Sequence, residues 1–302
     1  MRETNVTEWI WSEELKELLS LCGESEKAIG ANASDYDRFE AFFRCFPMLI
    51  GNRTAQGIAW HLEHTLGIRE PISVQDYHRI WHLGADALLE HPTPKPNWKE
   101  PIPTTPVDVA ALASVLSSAP TYLAEASGDA SRLTETDSTS FASWQSEIKT
   151  FMQGQKGHVF FTLPSSYRFC APDPYHVREA LQNREKGEDL LLSQLMRDLA
   201  IGCQEGDQTL VLRVESDARE AVKLLEYTEA RVGLPSLVLQ PICLADVHFF
   251  RSLIAKSQGK TRRFAVCPAD FATTEDFHFF LSQYAARYPI GALCVVKKKE
   301  AD

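Results

Sequence analysis

Apolar positions in the first 90 residues recur at helical spacing. Trp9, Leu15, Leu18 and Leu19 share one face, and Cys22-Gly23 closes that helix on a glycine. Ser34, followed three positions later by Asp37, predicts an N-cap ahead of Phe39, Phe42, Phe43 and Phe46. Pro47 disturbs that helix, Gly51-Asn52 turns the chain, and a third helix is predicted from about Thr54 to Leu66, stopping at Gly67. A fourth starts at Ser73 and Asp76 and carries Val74, Tyr77, Trp81, Ala85 and Leu88 on one stripe. Six prolines between His91 and Pro106 make an extended connector. Thr105 and Pro106 then fit the start of a helix running to about Ser117. The small, polar stretch 124–140 reads as a surface loop.

The rhythm then changes. Short apolar runs at 157–163, 208–213, 235–240, 263–267 and 290–296 predict strands. Helical patterns at 218–230, 245–255 and 275–286 separate the last four. Parallel neighbours need a crossover of this length, and continuously apolar strands suit a sheet covered on both faces. The pattern predicts an α/β protein, either an open doubly wound sheet or a (β/α)8 barrel, with a helical subdomain over 1–106 and the β/α region over 107–302.

In such folds the chemistry sits on loops after the strand C-termini. Those positions hold Ser165, Tyr167 and Arg168, then Arg213 and Glu215, then Gln240, then Asp270. Arg168 or Arg213 suits bidentate recognition of a carboxylate, and Glu215 or Asp270 suits acid–base work; Gln240 completes the candidate substrate-binding set. Loop charges are more often simply solvated.

A net charge of −10 excludes a broad nucleic-acid surface. The basic clusters at Lys260, Arg262 and Arg263 and at Lys297–Lys299 read as a solvated loop and terminus. Apolar residues at 44% and charged residues at 24% are ordinary for a packed globular protein. No run approaches the roughly 20 residues that span a bilayer, so neither membrane nor nucleic acid is an expected partner. Seven scattered cysteines without a C-x-x-C pair suit free thiols and a cytoplasmic location.

No P-loop, dinucleotide fingerprint or serine elbow is present. His61/His64 and His78/His82 are spaced to share helix faces, as a metal site would need. Their neighbours Trp60 and Trp81 instead suggest partly buried histidines at a helix-packing interface, so no metal or other cofactor is expected.

Phe39-Glu40-Ala41-Phe42, then Ile50-Gly51-Asn52, then Leu66-Gly67-Ile68 resemble the helical region of the uronate isomerases of the amidohydrolase superfamily. The interval from Gly51-Asn52 to Gly67-Ile68 fits without a gap; Arg53 stands where that pattern has proline, and His61-Leu62-Glu63 is displaced by two residues. The resemblance implies a metal-supported (β/α)8 barrel that interconverts aldose and ketose forms of glucuronate or galacturonate. The H-x-H of that family's first strand occurs nowhere in this sequence, nor does its late-strand aspartate motif. The expectation is therefore an incomplete or distorted barrel, without the first strand and the metal ligands. Its isomerase activity would be weak or lost, and a pocket for a small sugar acid is possible. The alternative is a non-catalytic interaction or sugar-acid-binding protein.

Overall fold

The structure, a computed structural model, describes residues 7, 10–68, 76–82, 108–124, 129–241, 246–255 and 260–298. Two compact units are present: residues 1–119 with 273–292, and residues 120–272 with 293–302.

The first unit is helical. Its early helices are α1 (Glu13–Leu21), the short α2 (Glu26–Ile29), α3 (Asp35–Cys45) and α4 (Arg53–Leu66). Ser34 and Asp37 form the expected capping box at the start of α3, each side chain satisfying the other's backbone N–H. Asn52 caps α4 by accepting from the N–H groups of Thr54 and Ala55, and does so while only 1% exposed. Gly67 ends α4 at φ +67°, in the left-handed region where a Cβ is penalised. Leu15, Leu19, Phe39, Phe42, Ile58, Leu62 and Ile80 form one apolar core, against which Tyr77 and Trp81 pack. The interrupting Pro47 lies in a 3-10 turn over Phe46–Leu49. Residues 76–82 of the fourth expected helix are helical; its remaining residues and the 91–106 connector lie outside the described residues.

Two expectations here need correction. Helix α5 (Val109–Ser117) starts three residues later than the Thr105–Pro106 pattern suggests. The carboxylate of Asp108 caps it, accepting from Ala110 and Ala111. His78 and His82 are exposed, not partly buried, because the helix turns Ile80 and Trp81 toward the core instead. The side chains of His61 and His64 lie outside the described residues.

The second unit is built on a six-stranded parallel sheet: β1 (Thr121–Ala124), β2 (His158–Leu163), β3 (Thr209–Val214), β4 (Ser236–Pro241), β5 (Arg262–Val266) and β6 (Leu293–Lys298). The order is β1-β6-β5-β4-β3-β2, so the two edges are the sequence neighbours β1 and β2. These edges meet. The His158 ring nitrogen Nε2 lies 3.2 Å from the Leu123 carbonyl, and its ring packs edge-on against Tyr122. Tyr122, Phe160, Val211, Val238, Ala265, Cys294 and Val296 form a single apolar cluster, with every strand contributing. A flat sheet cannot bring its first and last strands onto one cluster, so this sheet is curled.

Above the seam, the free edge of β2 is covered by side chain and turn. Asp129 bridges Phe160, and the Ser131 hydroxyl lies within hydrogen-bonding distance of both the N–H and the carbonyl of Thr162. Covering an edge in this way removes a template for foreign pairing. Stretch 124–140 is therefore not a simple surface loop. Residues Ala130–Glu135 form a 3-10 turn with Ala130 and Leu133 buried, and the Trp144 indole donates to the Leu133 carbonyl.

Helices α6 (Phe141–Gly154), α7 (Pro174–Gln182), α8 (Arg184–Glu205), α9 (Ala218–Val232) and α10 (Val247–Ala255) connect β1 through β5, while α11 (Thr274–Ala285), between β5 and β6, belongs to the helical unit. The final strand starts at Leu293, after a 3-10 turn over Ile290–Ala292, and takes in Lys297 and Lys298, which had read as a solvated tail. Arg262 is likewise no loop residue. It is buried at the start of β5, donating to Glu229 at 2.8 Å and to the Leu253 carbonyl. Among the described residues no helix is long and apolar enough to cross a membrane.

Candidate functional site

Side chains alternate across a strand, so the face that carries Phe160, Val211 and Val238 into the apolar cluster also carries the residues two positions further on. Those are Thr162, Arg213 and Gln240, which lie opposite one another in register at the C-terminal ends of β2, β3 and β4. The interior thus changes from apolar to polar within one pleat.

Arg213 is the centre of this polar end. Its Nε donates to Glu215 Oε1 at 2.8 Å, and its Nη1 lies 3.6 Å from Asp270 Oδ2. Glu215 is held just past β3, where its N–H donates to the Leu163 carbonyl and prolongs the ladder to β2. Asp270 comes from the 3-10 turn Pro268–Asp270 after β5, fixed by its N–H to the Cys267 carbonyl. Gln240, only 6% exposed, donates its amide to the same Asp270 oxygen at 3.2 Å. Four residues separated by up to 57 positions therefore form one polar group, two hydrogen-bonded pairs joined by the Arg213–Asp270 ion pair. The three charged members keep about a third of their side-chain surface open, at 31%, 35% and 32% for Arg213, Glu215 and Asp270.

Arg168 stands apart from them. Its guanidinium Nη1 donates to its own loop, reaching the Tyr167 carbonyl at 2.7 Å, and its N–H donates to Asp189. The loop is anchored on both sides. Tyr167 is fully buried with its hydroxyl 2.8 Å from Ser193, and burial pushes its phenol well above the usual range. Phe169 N–H donates to Glu220, whose carboxyl is held below its ordinary value by hydrogen bonds from Lys223 and from that N–H. Ser165 is exposed at the turn.

The strand-end reading missed Asp129, Ser131 and Thr162. The Thr162 hydroxyl lies 3.4 Å from Asp129 Oδ2, which sets a third carboxylate beside the register row that contains Arg213. The signal was the Asp129-Ala130-Ser131 turn, in which the Asp129 carboxylate accepts from the Ser131 N–H.

A guanidinium between two carboxylates is a poor cradle for a divalent cation, because it already supplies the positive charge that such a pair attracts. Among the described residues no group of three or more His, Cys, Asp or Glu side chains could hold a metal ion. The site does not fit the metal of the resembled family. What the group offers is hydrogen bonding: carboxylate oxygens that accept from hydroxyls, and an arginine whose Nη2 makes no hydrogen bond to any described residue.

Residues 5–97 match a family model described as glucuronate isomerase. Among solved structures the chain is similar to uronate isomerase from Thermotoga maritima, at 13% identity and a TM-score of 0.42, over 96% of this chain and 77% of that one. No curated protein matches.

Proposed function

We propose that this chain, related to the uronate isomerases through residues 5–97, is a uronate isomerase-like protein. We read its curled sheet as an incomplete (β/α)8 barrel whose polar end binds a hexuronate with weak or no turnover. The observation that carries the reading is the convergence of Arg213, Glu215, Gln240 and Asp270 at the strand C-termini. A hexuronate has one carboxylate and a row of hydroxyls. The Nη1–Nη2 edge of Arg213 is the part not closed by a short hydrogen bond, and a carboxylate is its natural bidentate partner. Glu215 and Asp270 then accept from sugar hydroxyls. Arg168 is a second candidate for the carboxylate, provided that it leaves its loop carbonyls.

Aldose–ketose isomerisation moves a proton between C1 and C2 and needs the carbonyl polarised. Here the carboxylates that would move the proton are engaged by Arg213, and the same arginine would have to serve as both carbonyl polariser and substrate anchor. That double demand supports binding in preference to efficient catalysis.

Calorimetry with D-glucuronate and D-galacturonate, alongside an assay for the ketose product, tests the reading. Binding at millimolar ligand is expected, weakened about tenfold or more in Arg213→Ala, since a charge-assisted contact is worth about 1.5–3 kcal/mol. Absence of heat with any hexuronate, or binding untouched in both Arg213→Ala and Arg168→Ala, would refute it. Turnover typical of an enzyme would refute the weak-catalysis part alone.

A further inference from the structure

Asp129 is held against the edge strand β2 by its neighbour Ser131. The Ser131 N–H donates to Asp129 Oδ1 at 2.9 Å, and the Ser131 hydroxyl donates to the same oxygen. That hydroxyl in turn accepts from the Thr162 N–H at 2.9 Å. Asp129 Oδ1 is therefore occupied by the turn. Asp129 Oδ2 is not: its contact is the Thr162 hydroxyl at 3.4 Å, long enough to leave it able to accept from another donor. Among the described residues Asp129 makes no ion pair, whereas Glu215 and Asp270 both face Arg213. Of the three carboxylates at this end of the sheet, one keeps its charge uncompensated.

The strands set the order of these groups. Gln240, Arg213 and Thr162 are register partners on β4, β3 and β2, and neighbouring strands lie about 4.8 Å apart. Asp129 lies beyond Thr162, bridging the outer edge of β2 at Phe160. A six-carbon acid whose carboxylate meets Arg213 can therefore carry its other end to Thr162 and Asp129.

We propose that Asp129, together with Thr162, determines specificity at that far end, so that the site takes hexuronates and rejects aldarates, the same sugar acids with a carboxylate at both ends. The proposal rests on the hexuronate reading of the Arg213 site. A sugar hydroxyl donates to Asp129 Oδ2 and accepts from the Thr162 hydroxyl. A carboxylate in the same place has no proton to donate and meets a like charge that no cation offsets. Selectivity of this kind comes from a repulsive contact with the wrong ligand as much as from an attractive one with the right ligand. Glu215 and Asp270 cannot supply it to the same degree, because the guanidinium beside them partly offsets their charge.

The test is calorimetry of the full chain with D-glucuronate and with D-glucarate, which differ only at C1. The parent protein is expected to bind D-glucuronate at least about tenfold more tightly, the equivalent of one charge-assisted contact. Asp129→Asn keeps an oxygen for the Ser131 N–H, suits the same turn and removes the charge. It should weaken D-glucuronate, strengthen D-glucarate and collapse the preference. Thr162→Val removes the hydroxyl but leaves the charge, so it should weaken D-glucuronate while D-glucarate stays excluded. Glu205→Gln removes the same charge at the C-terminus of α8, on the approach to the start of β3, and should leave the preference intact. Circular dichroism establishes that each variant is folded. Equal or tighter binding of D-glucarate by the parent would overturn the proposal. So would parallel weakening of both ligands in Asp129→Asn, the mark of a merely structural role. D-glucuronate binding that depends on Arg213 with a preference unchanged in Asp129→Asn sinks this proposal alone, and no heat with either ligand sinks the hexuronate reading with it.

Discussion

Gln240 and Arg213 face each other in register on β4 and β3, and both side chains reach one oxygen of Asp270, at 3.2 and 3.6 Å. The amide is the shorter contact and the more buried partner, so it holds the Asp270 carboxylate more closely than the arginine does, while Arg213 is itself held at 2.8 Å by Glu215. Gln240→Leu keeps most of the volume and deletes the donor. We expect it to lower stability by about 0.5–1.5 kcal/mol, the usual net value of one hydrogen bond. Urea unfolding measures this; a variant as stable as the parent would mean that the amide merely replaces water.

Asp198 on α8 accepts from the Gln194 amide through one oxygen, while its other oxygen is buried with no hydrogen-bond partner among the described residues. Burial raises its carboxyl above the ordinary value of 3.8. A raised carboxyl means that the folded state keeps a proton the unfolded state has already released. Stability therefore falls as pH rises from about 3.8 through the raised value, then levels off. Asp198→Asn should remove that slope and make the protein more stable near neutrality. Chemical denaturation across this pH range, with identical curves for both proteins, would contradict the assignment.

Gly187 lies inside α8, where helix propensity alone favours alanine by up to about 1 kcal/mol. A Cβ there would meet the Ala180 Cβ at 2.3 Å and its Cα at 2.7 Å, because α7 crosses α8 at this point. Overpacking of this kind costs about 1–3 kcal/mol and the contacted atoms include backbone, so packing outweighs propensity. Gly187→Ala should lower the melting temperature. A rise would show that α7 gives way easily.

Local rules were readable without any coordinates. Ser34–Asp37 and Gly67 mark helix boundaries because a cap is satisfied within three or four residues of itself. The cores of β2 to β5 were equally legible, since a strand buried on both faces must be apolar at every position. By contrast β1, four residues long with Thr121 and Leu123 exposed, has too little apolar pattern to stand out; its pairing with β6 makes it a strand. Arg262 shows the opposite failure. Its charge reads as solvated until Glu229, 33 positions earlier in the chain, supplies the partner that lets it be buried.

The candidate site divides along the same line. Sequence by itself determined which residues follow the strands, and hence that Arg168, Arg213, Glu215, Gln240 and Asp270 were worth weighing together. It could not decide that four of them would be joined by two hydrogen bonds and an ion pair while Arg168 turned back onto the Tyr167 carbonyl. Nor could it reveal Asp129 beside Thr162. Caps, turns and apolar runs are settled by neighbours along the chain. Register, the closing of β2 against β1 and the choice of ion-pair partner depend on groups brought together only when the sheet curls, and those the tertiary structure alone decided.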